Sequence, residues 1–294
     1  MSQNARKRVR SALAHKQPDR VPFSWQFCAT PEMKKCLERE LVGRGISWST
    51  LRQVTEDLQS IRPAYCGPAE WDDGAWDIWG IEWKDCDYGD GSYREVENYP
   101  LAGVDSVNEL DEYSWPDPDW YDYDGLEEAA RELDETKAVK FPGMNPLETL
   151  CWMTGLEEVL CNCAIRPELV VRGLEHIVGF YEERLVRSLE VIGDRVDIVF
   201  FFDDLGSQTG PMMSPSTYRE VIKPFHQRLF SRAQNLAPEA RVMMHSDGSV
   251  FALLQDLVDA GLDVLEAVQV DCADNGSAET EGYFWRPPVV PWGD

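Results

Sequence analysis

Long apolar runs alternate with amphipathic stretches through the second half of the chain. The pattern predicts, in order, a strand, a helix, a strand, a helix and a strand over residues 196–202, 215–236, 241–245, 249–260 and 263–270. Strands buried on both faces are apolar at every position, and strands that alternate with helices are typical of a parallel sheet. The second half of the chain is therefore predicted to be an α/β fold.

The first half shows the same rhythm less regularly. A buried strand is predicted over residues 21–27, and shorter strands over residues 57–61 and 138–141. Helical periodicity covers residues 3–16, 31–42, 126–133, 147–160 and 167–192. With the three strands of the second half, six strands are predicted before residue 270, whereas a closed (β/α)₈ TIM barrel needs eight.

The C-terminal tail decides between two fold hypotheses. Residues 271–294 offer at most one more strand, around residues 283–285, and their prolines oppose a helix after it. Either the fold is not a barrel, or the chain stops before its barrel is complete. We favour a single (β/α)₈ domain over residues 1–294 that is incomplete at its C-terminus. The sheet edge left open in such a barrel would favour a homodimer.

The segment between residues 70 and 125 is acidic and rich in tryptophan, as in EWDDGAWDIWGIEWKDCDYGDG. It is predicted to be an insertion with little regular structure. A solvated surface loop is the simplest interpretation of the acidic residues. Because aromatic side chains are seldom idle in solvent, we expect the tryptophans to pack a lid over the barrel mouth; these are Trp71, Trp76, Trp79 and Trp83.

Composition excludes several classes of protein. The formal charge is −25, from 53 acidic and 28 basic residues, which opposes nucleic-acid binding. No stretch approaches the roughly 20 apolar residues that span a membrane, and the basic N-terminus lacks the apolar core of a secretory signal. The eight cysteines lack the spacing of a disulfide framework. A cytoplasmic protein with reduced thiols and a small-molecule substrate is the expectation.

Polar side chains follow the three strands predicted in the second half. In parallel α/β folds the chemistry gathers at the carboxyl ends of strands, so these side chains are the candidate site. Catalytic roles are predicted for four residues, which are Asp203, Asp204, His245 and Asp247. Substrate binding is predicted for Gln269 and for Tyr218, which lies on the helix after the Asp-Asp turn.

Each assignment has a structural alternative. His245 could be a hydrogen-bonded histidine at a strand end, and Asp203 or Asp204 could cap the turn before Gly206. Two adjacent carboxylates after an apolar strand are costly unless they are used, which favours function for at least one of them. For Tyr218, amphipathic helix packing is the default.

Three motifs resemble the uroporphyrinogen decarboxylase superfamily: RKRVRSALAHKQPDRVPF, DDLGSQTGPMMSPSTYREVIKPFHQRLF and HSDGSVFALLQDLVDAGLDVLEAVQV. Together with FPGMNPLETLCWMTGLEEVL they are most similar to the branch related to corrinoid-dependent methyltransferases. The resemblance implies a (β/α)₈ barrel with its site at the carboxyl ends of the strands. It also implies either decarboxylation of uroporphyrinogen or transfer of methyl groups between corrinoids, thiols and methoxylated or methylated substrates.

Departures from the family pattern narrow the function. The decarboxylases that the chain resembles bind the porphyrinogen carboxylates with an arginine-rich motif after the first strand, where this chain reads FSWQFCATPEM. Without those arginines, a substrate with eight carboxylates is hard to accommodate. The resemblance places Asp57 and Trp152 loosely at positions that contact substrate.

The resemblance also bears on metal binding. Thiol-activating relatives hold zinc with His-x-Cys and a later Cys, whereas this chain has His245-Ser246-Asp247. Zinc held by His245, Asp247 and Glu266 is chemically allowed but suits thiolate activation poorly. We therefore expect methyl transfer from a small methoxylated or methylated compound to a corrinoid carried by a partner protein. The alternatives are porphyrinogen decarboxylation and a truncated, inactive barrel.

Overall fold

A computed structural model describes residues 3–25, 30–71, 74–89, 91–275 and 290–291. Its helices are α1 (Ala5–Leu13), α2 (Pro31–Val42), α3 (Trp48–Thr55), α4 (Val107–Glu112), α5 (Asp124–Arg131), α6 (Pro146–Thr154), α7 (Leu156–Ile165), α8 (Pro167–Ile192), α9 (Pro215–Thr217), α10 (Lys223–Leu236) and α11 (Leu254–Ala260). Its strands are β1 (Leu58–Ser60), β2 (Ala64–Tyr65), β3 (Glu82–Asp87), β4 (Ser92–Asn98), β5 (Tyr121–Asp122), β6 (Ala138–Phe141), β7 (Ile198–Phe202), β8 (Arg241–His245), β9 (Val264–Glu266) and β10 (Val290–Pro291).

A parallel sheet forms the centre of the molecule, with the strand order β1-β6-β7-β8-β9-β10. The connections from β1 through β6, β7 and β8 to β9 contain helices, as in the predicted TIM-barrel type of fold. In the described part of the chain the sheet does not close on itself. The strand predicted around residues 283–285 lies outside the described residues, so an incomplete barrel and a homodimer both stay predictions.

The two faces of the sheet bury different clusters. Because side chains alternate along a strand, Val199 and Phe201 of β7 face the helices, in a large core that includes much of α8 and α10. Ile198 and Phe200 face the other way, into a smaller cluster that α1 joins through Val9. The last side chain of β7 on this inner face is Phe202, which packs against the same cluster. The inner face therefore runs from α1 at the amino ends of the strands to polar groups at the carboxyl ends.

Asp57 lies at the amino end of β1, on the far side of the sheet from the strand ends that carry His245. Its carboxylate is 1% exposed and accepts hydrogen bonds from Arg8 at 2.6 Å and Arg20 at 2.7 Å. Asp57 was expected after a strand but precedes β1, so its substrate binding stays a prediction that its position at the amino end of the sheet does not support. Its two arginines hold the N-terminal segment against the sheet, and a buried pair of this kind is costly to break.

Some predicted elements differ from the observed ones. Residues 21–25 form no strand, with Val21 73% exposed, and residues 26–29 lie outside the described part of the chain. The helix predicted over residues 147–160 is divided into α6 and α7 at Gly155, whose φ of 110° is unfavourable for other residues. A π-helical turn over Tyr218–Ile222 interrupts the helix predicted over residues 215–236.

The acidic insertion is more regular than predicted. It contains the antiparallel hairpin β3–β4 and the helix α4. Trp79 is 6% exposed, with its ring centroid 5.0 Å from that of Phe180 on α8, and Trp83 packs edge-on to Trp152 of α6 at 5.4 Å. These tryptophans thus attach the insertion to the outer helices. Among the described residues, no helix has the length and apolarity to cross a membrane.

Candidate active site

The carboxyl ends of β7, β8 and β9 lie side by side because these strands are parallel neighbours. His245, the last residue of β8, pairs in register with Phe202 of β7 and with Glu266 of β9. Asp204 and Asp247 follow β7 and β8 at the same spacing from the strand ends. The predicted strand ends are therefore brought together at one edge of the sheet.

The two turns that carry the aspartates are locked together. The Asp247 amide donates to Oδ1 of Asp204 at 2.8 Å, and the Gly248 amide donates to Oε1 of Gln269 at 2.6 Å. A β-carbon on Gly206 would lie 2.7 Å from the Asp247 carbonyl oxygen, and Gly248 has a φ of +80°. Only glycine permits this approach. Gln269, predicted to bind substrate, here supports the turn.

Three side chains converge as a candidate metal centre. Nε2 of His245 lies 3.9 Å from Oδ1 of Asp204 and 3.7 Å from Oδ1 of Asp247, and the ligand atoms of the three all lie within 4.8 Å of one another. Ligands around tetrahedral zinc are separated by about 3.3–3.5 Å, so a small contraction would close the set. One imidazole and two carboxylates fit zinc chemically and would leave a coordination position open. The side chains are 27%, 38% and 50% exposed for His245, Asp204 and Asp247, so an ion could enter.

Glu266 contacts the other side of the histidine ring. Its Oε2 lies 3.5 Å from Nδ1 of His245, whereas the two aspartates face Nε2. The metal ligands predicted from sequence were His245, Asp247 and Glu266. In the structure Asp204, and not Glu266, completes the cluster with His245 and Asp247. A carboxylate behind a metal-binding histidine orients the ring and makes it a stronger ligand. Burial alone would lower the His245 pKa, but Glu266, Asp247 and Asp204 outweigh it and the pKa is raised.

Glu148 is a site residue that the sequence analysis missed. It lies in the first turn of α6, after the carboxyl end of β6, and its side chain is mostly buried. Burial and the carboxylates of Asp203 and Asp204 raise its pKa to about 8, against the opposing effects of Asn145 and His245. In the metal-free protein this carboxyl group keeps its proton to higher pH than an ordinary glutamate, and a protonated carboxyl can donate a proton. A glutamate in the first turn of a helix is usually read as a helix-dipole partner, so the sequence alone did not single it out.

Asp203 lies behind the site and is 0% exposed. Its carboxylate accepts hydrogen bonds from the amides of Leu147 and Glu148 at 3.1 and 2.8 Å, and it lies 2.8 Å from Nε2 of His226. It thereby satisfies two amides at the start of α6 that the helix itself leaves unpaired. Burial raises the Asp203 pKa, while His226 and the two amides oppose that rise. Asp203 thus positions Glu148, and the catalytic role predicted for it stays a prediction.

Tyr218 belongs to the same buried assembly. It is 0% exposed, and its hydroxyl lies 2.9 Å from Nδ1 of His226. When His226 is neutral with its proton on Nε2, the tyrosine hydroxyl donates to Nδ1 and the imidazole donates to Asp203. Tyr218 thus has a structural contact in this assembly, and the substrate contact predicted for it stays a prediction. Trp152, the other aromatic residue predicted to bind substrate, packs on Trp83 of the insertion.

Lys140 was also missed, although it interrupts the apolar run AVKF. It is 4% exposed, and its Nζ lies 4.2 Å from the ring centroid of Phe200 on the inner face of the sheet. Burial lowers its pKa to about 8, although the carboxylates of Glu266 and Glu56 favour the charged form. The inner face thus holds one basic group beneath the acidic strand ends.

Replacing Glu148 by glutamine is expected to stabilise the metal-free protein at alkaline pH. The raised pKa means that folded protein keeps a proton that unfolded protein loses, so wild-type stability falls as pH rises from about 4.5 to about 8. The glutamine side chain does not ionise, so the variant does not lose stability in this way. Its free energy of unfolding should exceed that of the wild type by on the order of 3 kcal/mol above about pH 8, and the difference should vanish below about pH 4.5. Urea denaturation across this range measures the difference.

The control for this prediction is Glu157→Gln, which changes an exposed glutamate in the first turn of the neighbouring helix α7. That variant should track the wild type at every pH. Equal pH profiles for Glu148→Gln and the wild type would mean that Glu148 is ionised at neutral pH and cannot supply a proton.

Comparisons with known proteins agree with this fold. No curated protein sequence matches the chain significantly. A solved structure of a methyltransferase from Methanosarcina mazei superposes with a TM-score of 0.62 at 13% sequence identity, covering 95% of this chain and 80% of that chain. The profile of the family described as uroporphyrinogen decarboxylase (URO-D) matches residues 85–278, which is more than half of the chain. The chain therefore belongs to the uroporphyrinogen decarboxylase family, as its motifs predicted.

Proposed function

We propose that this protein is a methyltransferase that moves a methyl group from a small methoxylated or methylated compound to a corrinoid carried by a partner protein. Family membership and the methyltransferase from Methanosarcina mazei support this class of reaction. The observation that carries the proposal is the convergence of Asp204, His245 and Asp247 at one edge of the sheet. Because all three donors are oxygen or nitrogen atoms, activation of an ether or amine suits the site better than activation of a thiol.

The side chains divide the work of demethylation between them. Asp204, His245 and Asp247 would hold zinc, which when bound supplies a Lewis acid that polarises the oxygen or nitrogen next to the methyl group. Glu266 keeps the His245 ring oriented through Nδ1. Transfer of the methyl group to the corrinoid would leave the electron pair of the broken bond on the donor oxygen or nitrogen. Glu148 would supply the proton that neutralises this atom.

Porphyrinogen decarboxylation is less well supported. Four acidic side chains lie at or near this edge of the sheet, which are Asp204, Asp247, Glu266 and Glu148. A substrate with eight carboxylates would be repelled by them and by the overall charge of −25.

We place the methyl transfer in the cytoplasm, a setting in keeping with the free thiols of the described cysteines.

A direct assay tests the proposal. Zinc-loaded protein is mixed with chemically reduced cobalamin and a panel of methoxylated aromatic compounds and methylated amines. The rate of methylcobalamin formation should be proportional to the enzyme concentration. Mass spectrometry should find one molecule of demethylated product for each molecule of methylcobalamin. Formation of coproporphyrinogen from uroporphyrinogen, without methylcobalamin from any donor of the panel, would overturn the proposal in favour of decarboxylation.

A further inference from the structure

A cavity opens at the carboxyl-end side of the sheet. It has a volume of about 420 Å³ and is lined by Arg62, Pro63, Ala64, Tyr65, Ile78, Tyr121 and Arg184. Arg62 and Tyr65 follow the carboxyl end of β1. Ile78 and Tyr121 belong to the insertion, and Arg184 belongs to α8. The proposed chemistry uses none of these residues. The cavity is therefore a separate feature at the same end of the molecule.

Arg184 is held in place by aromatic rings and by one backbone carbonyl. Its Nη2 donates to the Gly143 carbonyl oxygen at 2.8 Å, and its guanidinium carbon lies 5.4 Å from the ring centroid of Tyr121 and 5.5 Å from that of Tyr181. Among the residues the structure describes, it forms no ion pair, and its Nη1 and its buried Nε donate no hydrogen bond. Buried donors are normally paired, so this guanidinium has capacity left for an acceptor.

Arg62 adds a second unpaired guanidinium to the cavity. Its side chain is exposed, and within the described ranges it makes neither an ion pair nor a hydrogen bond. The lining contains no carboxylate. This is unusual in a chain of charge −25, where Arg187, one turn further along α8, pairs with Asp119 at 2.6 Å. Two unpaired guanidinium groups in one cavity create a local positive potential that attracts an anion.

The chemistry of the lining narrows the class of anion. The ring centroids of Tyr65 and Tyr121 lie 5.6 Å apart in an edge-to-face arrangement, so the cavity also presents aromatic surface. Guanidinium forks match carboxylates in geometry. We propose that this cavity binds the carboxylate of a small aromatic acid. Binding of the acid in this cavity does not depend on the proposed function. Only the identification of the acid as the substrate rests on that function.

A path of contacts joins the cavity to the candidate active site. The Gly143 carbonyl oxygen accepts from Arg184, and the Gly143 amide donates to the Phe200 carbonyl oxygen at 2.9 Å. Gly143 lies in the loop between β6 and α6, and α6 carries Glu148 in its first turn. An acid anchored by Arg184 therefore lies against the loop that positions the proposed proton donor.

Calorimetric titration of the 294-residue protein with benzoate tests the anion site. Benzoate should bind, benzamide should bind about tenfold or more weakly because it has the shape without the charge, and inorganic phosphate should bind more weakly than benzoate. Arg62→Gln and Arg184→Gln should each weaken benzoate binding about tenfold or more. Arg187→Gln, on the same helix, should bind benzoate like the wild type.

Four results would overturn this proposal: no benzoate binding, benzamide binding as tightly as benzoate, phosphate binding more tightly than benzoate, or Arg62→Gln binding benzoate like the wild type. Arg62 is exposed, so Arg62→Gln remains informative even if loss of Arg184 unfolds the protein. Benzoate carries no methyl group and its binding needs no metal. Arginine-dependent benzoate binding without any methyl transfer would therefore refute the proposed function and leave the anion site standing.

Discussion

Replacing His245 by alanine is expected to remove the bound metal and to lower the rate of methyl transfer by roughly 10³-fold or more, the scale of several kcal/mol of Lewis-acid stabilisation. Nε2 of His245 is the nitrogen donor that both aspartates face, at 3.9 and 3.7 Å. Without it, Asp204 and Asp247 are two partly exposed carboxylates that hold zinc weakly. Zinc content after dialysis and the methylcobalamin assay measure the two effects.

The matched control for His245 is His176→Ala. His176 lies on the outer helix α8, where it pairs with Asp111 at 2.9 Å and stacks on Trp115. This variant should keep both its zinc and its activity. Loss of zinc in His176→Ala, or retention of one equivalent of zinc in His245→Ala, would contradict the assignment of the metal centre.

Replacing Asp203 by alanine is expected to lower the free energy of unfolding by about 3–5 kcal/mol. The change leaves His226 and the amides of Leu147 and Glu148 without their acceptor in a fully buried place. Unsatisfied buried donors keep their desolvation cost without any compensating bond. Urea or thermal denaturation of the metal-free protein measures the loss.

The neighbouring residue supplies the control for Asp203. Asp204→Ala loses the hydrogen bond from the Asp247 amide, but Asp204 is 38% exposed and its removal relieves repulsion within a cluster of like charges, so the metal-free protein should lose no more than about 1 kcal/mol of stability. The same variant should lose zinc. Equal destabilisation by the two substitutions would contradict the division of this pair into a structural and a metal-facing aspartate.

Much of the candidate site followed from the apolar pattern. Continuous apolar runs fix where buried parallel strands end, and parallel neighbours bring those ends together, so Asp203, Asp204, His245 and Asp247 were predicted as a group. Alternation separates the two aspartates as well, because Asp204 shares the inner face with Phe202 while Asp203 points to the helices. Alternation shows which aspartate faces the site only when the last residue of the strand is known.

Other features depend on contacts that no local pattern contains. Glu148 acquires its pKa of about 8 from burial beside Asp203 and Asp204, which are distant in sequence. The hairpin β3–β4 was missed because EWKDCD and SYREVEN lack the apolar face that identifies a half-buried strand. Asp57 was misplaced because a loose motif match did not reveal that it precedes β1.

The X-ray absorption spectrum at the zinc edge tests the central claim most directly, namely that the strand ends hold a metal centre without sulfur. Zinc bound by Asp204, His245 and Asp247 should show only nitrogen and oxygen neighbours at about 2.0–2.2 Å, with the outer-shell pattern of a single imidazole. A sulfur neighbour at about 2.3 Å would contradict the account, because it would place a cysteine thiolate on the metal and return thiol activation as the reaction.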